Sequence, residues 1–302
     1  MKLISSRHEY LPWHKDCWAL FSSYLNQNRI PQALLITGQK GLGKQYLALQ
    51  LAQSLLCNNR NEDGQFCNQC HFCRLFNAQT HPDFIAVQPE EPGKNIKIEQ
   101  IRELINQLCL KPHYQRYRTV IISPADSMTH ASANGFLKCL EEPPEKTITL
   151  LITETASSLP ATITSRCQKI KLATPDFQTA DAWLQQHNIA EDRQKLINLA
   201  QGAPLLAHSY ASDDTLKCRK ELFNTWIDIA QQKTSPINVS ENWSKKVDNR
   251  ILMWITSWII DIIKYQFEIQ QDQVFNPDLK QNLKELALSL KLNDLFKFYD
   301  LL

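Results

Sequence analysis

The segment Gly38-Gln39-Lys40-Gly41-Leu42-Gly43-Lys44 constrains this chain more than any other. The 302-residue sequence holds 7 glycines, about a third of what an average composition of ~7% would supply. Three of those seven fall within this one stretch. Apolar Ala33-Leu34-Leu35-Ile36-Thr37 precedes it, and Leu47, Leu51 and Leu55 recur at helical spacing behind it. Strand, glycine turn and helix, in that order, are the context in which such a segment forms a phosphate loop. The glycines let the backbone curl into a concavity of N–H donors, and the helix N-terminus adds its partial positive charge. Gly38, Gly41, Gly43, Lys44 and Gln45 are therefore the expected phosphate contacts, with Lys44 reaching the terminal phosphates. A glycine-rich turn without a ligand is the plainer alternative.

Hydrolysis needs more than a cradle. The residue after the lysine is ordinarily Ser or Thr, whose hydroxyl holds Mg²⁺; here it is Gln45. The metal-holding and catalytic acids belong at the end of the neighbouring buried strand, which reads Thr119-Val120-Ile121-Ile122 and continues Ser123-Pro124-Ala125-Asp126. Those acids would stand at Ser123 and Pro124, and neither is acidic. Asp126 comes about three residues too late and reads as a turn or capping residue. The expectation is a phosphate cradle without hydrolytic machinery, which leaves nucleotide binding without turnover open.

The 9 cysteines are spread just as unevenly. Cys57, Cys67, Cys70 and Cys73 cluster, whereas Cys17, Cys109, Cys139, Cys167 and Cys218 are scattered. An odd count with isolated members does not fit a secreted disulfide scaffold, and a reducing cytoplasm fits better. Two-residue gaps let successive thiolates turn toward one centre, and four thiolates make a closed tetrahedral zinc site with no open position for water. The cluster is thus expected to be structural. Free thiols and an iron–sulfur cluster are the alternatives, and His71 could stand in for one cysteine.

Further along, Phe84-Ile85-Ala86-Val87 and Thr119–Ile122 read as buried strands, and Thr147–Thr153 as a fourth. Ile98, Ile101, Ile105 and Leu108 mark one helix face, and a second helix from about Ala131 to Glu142 stops at Pro143-Pro144. Strands alternating with helices argue for a parallel α/β sheet up to about residue 170. After Pro175 the texture becomes helical: Ala182–His187, Arg193–Ala200 and Leu205–Tyr210 are short helices. From Thr215 onward the pattern is helical, broken near Thr234-Ser235-Pro236 and Asn276-Pro277, and no glycine follows Gly202. That composition suits a helical bundle. The 13-residue apolar run Ile251–Ile263 is too short for a bilayer that needs about 20 residues. With Leu252, Trp254, Ile255, Trp258, Ile259 and Ile262 it reads as a nearly all-round apolar helix, for core packing or a subunit interface. Met1–His8 carries no secretory signal. A net charge of +2 leaves room only for a local DNA-facing patch.

The stretch Thr129-His130-Ala131-Ser132-Ala133-Asn134-Gly135-Phe136-Leu137-Lys138-Cys139-Leu140-Glu141-Glu142-Pro143-Pro144, followed by Ser165-Arg166-Cys167, resembles the clamp-loader subunits of the AAA+ ATPases. The resemblance runs from Gln32 to about Gly202, and the cysteine cluster resembles the zinc module of the bacterial clamp loader. It implies a RecA-like AAA+ P-loop domain over residues 1–170 with a zinc module at 57–73. A three-helix lid over 171–211 and an all-α collar over 212–302, which joins a ring, complete the expected fold. ATPase members keep Thr after the lysine, Asp-Glu at the strand end, and a sensor arginine where this chain reads Gly202-Ala203-Pro204-Leu205-Leu206. The implied function is a non-hydrolysing subunit of the bacterial DNA polymerase III clamp loader, helping to load the sliding clamp onto primed DNA. Arg166, a surface charge on any plainer reading, would act in trans at an adjacent subunit's ATP.

No chemistry is expected of the chain alone, although the resemblance makes it part of a DNA-directed DNA polymerase holoenzyme, a nucleotidyltransferase complex. The implied cofactors are structural Zn²⁺ on Cys57, Cys67, Cys70 and Cys73, with ATP or ADP bound but not hydrolysed. The implied partners are the ATPase subunits and the clamp-opening subunit, then the clamp and primed DNA through the complex, and no membrane. Thr129, His130 and Ser132 at a helix start could meet DNA phosphates. Two other classes compete: an active AAA+ ATPase with unusual metal ligands, and a stand-alone zinc-stabilised DNA-binding protein.

Overall fold

The computed structural model describes residues 10–114, 116–189, 192–212, 215–231, 233–244, 250–267 and 274–301, so Met1–His8 lies outside the described residues. Contacts divide the chain into two units, Met1–Thr174 and Pro175–Leu302.

The first unit runs α1 (Lys15–Asn26), β1 (Ala33–Thr37), α2 (Lys44–Leu56), α3 (His71–Asn77), β2 (Phe84–Val87), α4 (Ile98–Leu108), β3 (Arg118–Ile122), α5 (His130–Glu141), β4 (Thr147–Thr153), α6 (Ala161–Thr164) and β5 (Gln168–Lys171). Its strands form a 5-stranded sheet in the order β2-β3-β4-β1-β5, and every pairing is parallel. This is the α/β class that the alternating pattern implies. The three inner strands are buried at every residue, as expected where helices cover both faces of a sheet. Successive side chains point to opposite faces. Leu35, Val120, Ile122 and Leu151 therefore share a core with Ile101, Leu104 and Phe136 of α4 and α5. The helix α2 packs on β1, β3 and β4, burying Leu47, Leu51 and Leu55.

One strand escapes the sequence pattern. β5 buries only Ile170 among Gln168–Lys171, because it pairs on one side alone, with β1. An edge strand with one buried residue leaves no apolar run to read. Helix α1 offers periodicity as little, since it buries only Cys17, Trp18 and Phe21.

The second unit is entirely helical among the described residues: α7 (Phe177–Gln186), α8 (Arg193–Leu199), α9 (Pro204–Ser212), α10 (Thr215–Ala230), α11 (Pro236–Ser244), α12 (Arg250–Gln266), α13 (Lys280–Ser289) and α14 (Leu292–Leu301). Helices α7, α8 and α9 pack on one another. Trp254, Trp258, Ile259 and Ile262 of α12 share a core with Phe223 of α10, Leu283 of α13 and Leu295 of α14. The helix is less uniformly apolar than its sequence suggests, since Leu252 is exposed while Asp261 is fully buried. The Asp261 carboxylate accepts from the backbone N–H groups of Phe275 and Asn276 at 2.9 and 2.7 Å, which tethers the 274–276 segment to α12. No helix among the described residues is long and apolar enough to cross a membrane.

Candidate functional site

The phosphate loop leaves the carboxyl edge of the sheet, where open parallel sheets place their ligands. Strand β1 ends at Thr37, which pairs with Thr153 on one side and Lys171 on the other. Gly38 then passes so close to β5 that a Cβ there would stand 3.1 Å from the Leu172 carbonyl. Gly43 caps α2 in the left-handed region at φ 81 and ψ 29, a conformation that side chains disfavour. The glycines are thus required by geometry, and they bring Gly38, Gly41, Gly43, Lys44 and Gln45 into one turn at a helix start. The Lys44 ammonium donates to the carbonyls of Gly38 and Gln39 at 2.6 and 3.0 Å. Burial lowers its pKa, against the opposing pull of Glu154 and Asp126.

Two residues that the sequence did not single out hold the loop from behind. The Trp13 indole and the His14 ring both donate to the Leu42 carbonyl, from Nε1 at 2.8 Å and Nε2 at 2.7 Å. His14 is fully buried. Burial drops its pKa to about 4 despite its bond to Leu42, so it is neutral at physiological pH. The only local signal was Pro12 at the start of a one-turn helix, and nothing in it points to a loop 28 residues away.

The carboxyl ends of β3 and β4 frame the same loop. Ser123 follows β3 with its N–H bonded to Val87, and no acid stands there. Asp126 sits exposed in the turn Ala125–Ser127. Glu154, one residue beyond Thr153, is also exposed and is the strongest acidic influence on Lys44. Register explains its position, because Thr153 pairs with Thr37 and so Glu154 leaves β4 where β1 gives way to the loop.

The four clustered cysteines converge. Their Sγ atoms all lie within 4.8 Å of one another, with Cys57 at 3.6 Å from Cys67 and 3.9 Å from Cys70. Thiolates around one zinc, at bonds of about 2.3 Å, stand about 3.8 Å apart. Backbone N–H groups of Cys67, Cys70 and Cys73 point at the sulfurs of Cys57, Cys67 and Cys70 at 3.3, 3.3 and 3.4 Å. Burial raises the Cys57 and Cys73 thiols. It acts in the same direction on Cys70, but hydrogen bonds from the backbone of Cys73 and Asn58 and from the thiols of Cys73 and Cys67 together outweigh it and draw that thiol down to about 6. Cys57 caps the end of α2 and Cys70 the start of α3, so the group fastens these two helices. It is able to hold a metal ion. His71 is exposed, packs against Phe72 and Tyr114, and is not part of the group.

Arg166 lies at the other edge of the sheet. It precedes β5, whose first residue Gln168 pairs with Leu34 near the start of β1. A rise of about 3.3 Å per residue therefore puts roughly 13 Å of strand between that edge and the phosphate loop. The guanidinium pairs with Glu141 Oε1 at 2.6 Å through Nη2 and donates to the Thr162 carbonyl at 2.8 Å through Nη1. A cavity of about 360 Å³ opens beside it, lined by Gln32, Pro143, Thr149, Ser165 and Cys167 among others. Of the residues read as phosphate contacts at the start of α5, Ser132 is fully buried and donates to the Ile96 carbonyl at 2.9 Å. Its hydroxyl is committed inside the fold, leaving His130 exposed and Thr129 half-buried.

Comparison with known proteins adds an independent line. Residues 13–176 match the family model described as DNA polymerase III, delta subunit, and residues 213–302 match DNA polymerase III, delta subunit, C terminal. The chain is 29% identical to DNA polymerase III subunit delta' of Pseudomonas aeruginosa, covering 91% of this chain and 84% of that protein. It is 30% identical to the subunit of that name from Yersinia pestis, covering 95% and 87%. Among solved structures, a DNA polymerase III gamma subunit-related protein from Thermotoga maritima aligns over 90% of this chain and 92% of that one, at TM-score 0.43 and 18% identity.

Proposed function

The chain belongs to the DNA polymerase III delta' family, and we propose from that premise that it is a non-hydrolysing clamp-loader subunit acting on a neighbour's ATP through Arg166. The observation that carries the proposal is the separation of cradle and arginine. The phosphate loop lies at the carboxyl edge of the sheet and Arg166 at the amino edge, a separation that supports service to a docked subunit over service to the chain's own loop. An arginine entering another subunit's site neutralises charge developing on the transferred γ-phosphoryl group.

The chain's own loop would hold a nucleotide by the backbone N–H groups of Gly38 to Gln45 and by the Lys44 ammonium. With Gln45, Ser123 and Pro124 at the positions of hydroxyl and acids, nothing there fixes Mg²⁺ or orients an attacking water. Cys57, Cys67, Cys70 and Cys73 would hold Zn²⁺ as a structural clip. In this reading residues 1–170 form the P-loop domain with the zinc module, 171–211 the lid and 212–302 the collar. The partners are the ATPase and clamp-opening subunits, and the work is cytoplasmic loading of the clamp onto primed DNA.

One observation favours a second reading, an active ATPase with displaced metal ligands: Asp126 and Glu154 both act on Lys44. The purified chain separates the two. A non-hydrolysing subunit shows no ATP turnover above that of its Lys44→Ala variant, with or without Mg²⁺, and co-purifies with ATPase subunits. Lys44-dependent hydrolysis by the chain alone would establish the second reading instead.

A further inference from the structure

The Arg166 guanidinium is held in place by two groups of its own chain. One is the Thr162 carbonyl at 2.8 Å, one turn earlier and just inside α6. The other is Glu141 Oε1 at 2.6 Å, the last residue of α5. Helices α5 and α6 pack together, so the carboxylate and the arginine are carried by elements already fixed to one another. Glu141 ends its helix just ahead of Glu142, Pro143 and Pro144, and its neighbours Leu140 and Pro143 line the same cavity as Arg166. Both side chains remain partly open, Arg166 at 36% and Glu141 at 48%. The fork is therefore gripped at Nη1 and Nη2 and still presents N–H groups outward.

We propose that Glu141 is a positioning residue for Arg166: its carboxylate fixes the guanidinium so that the free N–H groups face the γ-phosphate of a nucleotide on the adjoining subunit. This rests on the trans role of Arg166. An unrestrained arginine loses rotamer freedom when it engages a phosphate, and one already held in place loses less. Gains of this kind appear in the chemical step, because the contact strengthens as charge develops. Glu141 never touches the nucleotide, so the neighbour's affinity for ATP is unaffected.

The test uses the reconstituted clamp-loader complex on primed DNA, assembled so that the adjoining ATPase subunit alone keeps its phosphate-loop lysine. Arg166→Ala, Glu141→Gln, Glu141→Asp and the double variant Glu141→Gln/Arg166→Ala are compared for kcat and KM. The expected result is a kcat about 10³-fold lower for Arg166→Ala and about two- to fivefold lower for Glu141→Gln, at unchanged KM. Glu141→Asp recovers part of the loss, and the double variant falls no further than Arg166→Ala. A Glu141→Gln kcat equal to or above wild type, or an equal loss in the Arg166→Ala background, overturns the role of Glu141 and leaves that of Arg166 standing. An unchanged kcat for Arg166→Ala removes the trans role itself, and with it this proposal.

Discussion

At the scale of single residues, the phosphate loop is held by side chains of its own chain. Lys44 donates to the loop's own carbonyls, and Trp13 with His14 fixes the Leu42 carbonyl from the buried side. His14 makes this support sensitive to acid. Burial lowers its pKa to about 4 from an unfolded value of about 6.5. Between those two values the unfolded chain binds a proton that the folded chain refuses. The contribution is thus fully present above pH 6.5 and is lost as pH falls toward 4. Relative to His14→Gln, wild type is expected to lose about 2 kcal/mol of unfolding free energy between pH 7.5 and 5, read from urea titrations at several pH values. Parallel pH dependence in the two proteins would mean that His14 is not buried neutral.

At the scale of elements, the cysteine group joins the end of α2 to the start of α3. Helix α2 is also the helix that opens at the phosphate loop. A metal there would steady the loop from the far end of the same helix. Fresh, reduced protein is expected to carry about one zinc per chain by elemental analysis. Cys57→Ser should abolish it and lower the melting temperature by about 5 °C or more, since metal binding is folding free energy. Less than half an equivalent of zinc, or a Cys57→Ser protein that melts like wild type, would leave the cluster as thiols only. In the helical unit, packing around Trp258 and the buried Asp261 accounts for why α12 tolerates a charge within an apolar run.

At the scale of the whole molecule, the sequence was most legible where periodicity and burial coincide. β1, β3 and β4 are buried at every position, and all three stand out as apolar runs. The glycine loop was legible because its backbone needs glycine, and the cysteines because metal ligands need close spacing. Illegible were the relations made by topology. Glu154 meets the field of Lys44 only because β4 pairs with β1. Trp13 and His14 reach Leu42 across 29 and 28 positions. Arg166 meets Glu141 only once α5 and α6 are packed. Ser132 shows the opposite error, a hydroxyl that looks available in sequence but is spent on Ile96. The sheet also bears on the functional proposal, since it sets Arg166 at the edge opposite the chain's own phosphate loop. The most direct measurement is ATP hydrolysis on primed DNA by a clamp-loader complex reconstituted with wild-type or Arg166→Ala chain. The account predicts complexes of unchanged composition in which DNA-stimulated hydrolysis and clamp loading both fall. Unchanged turnover in an intact Arg166→Ala complex would contradict it.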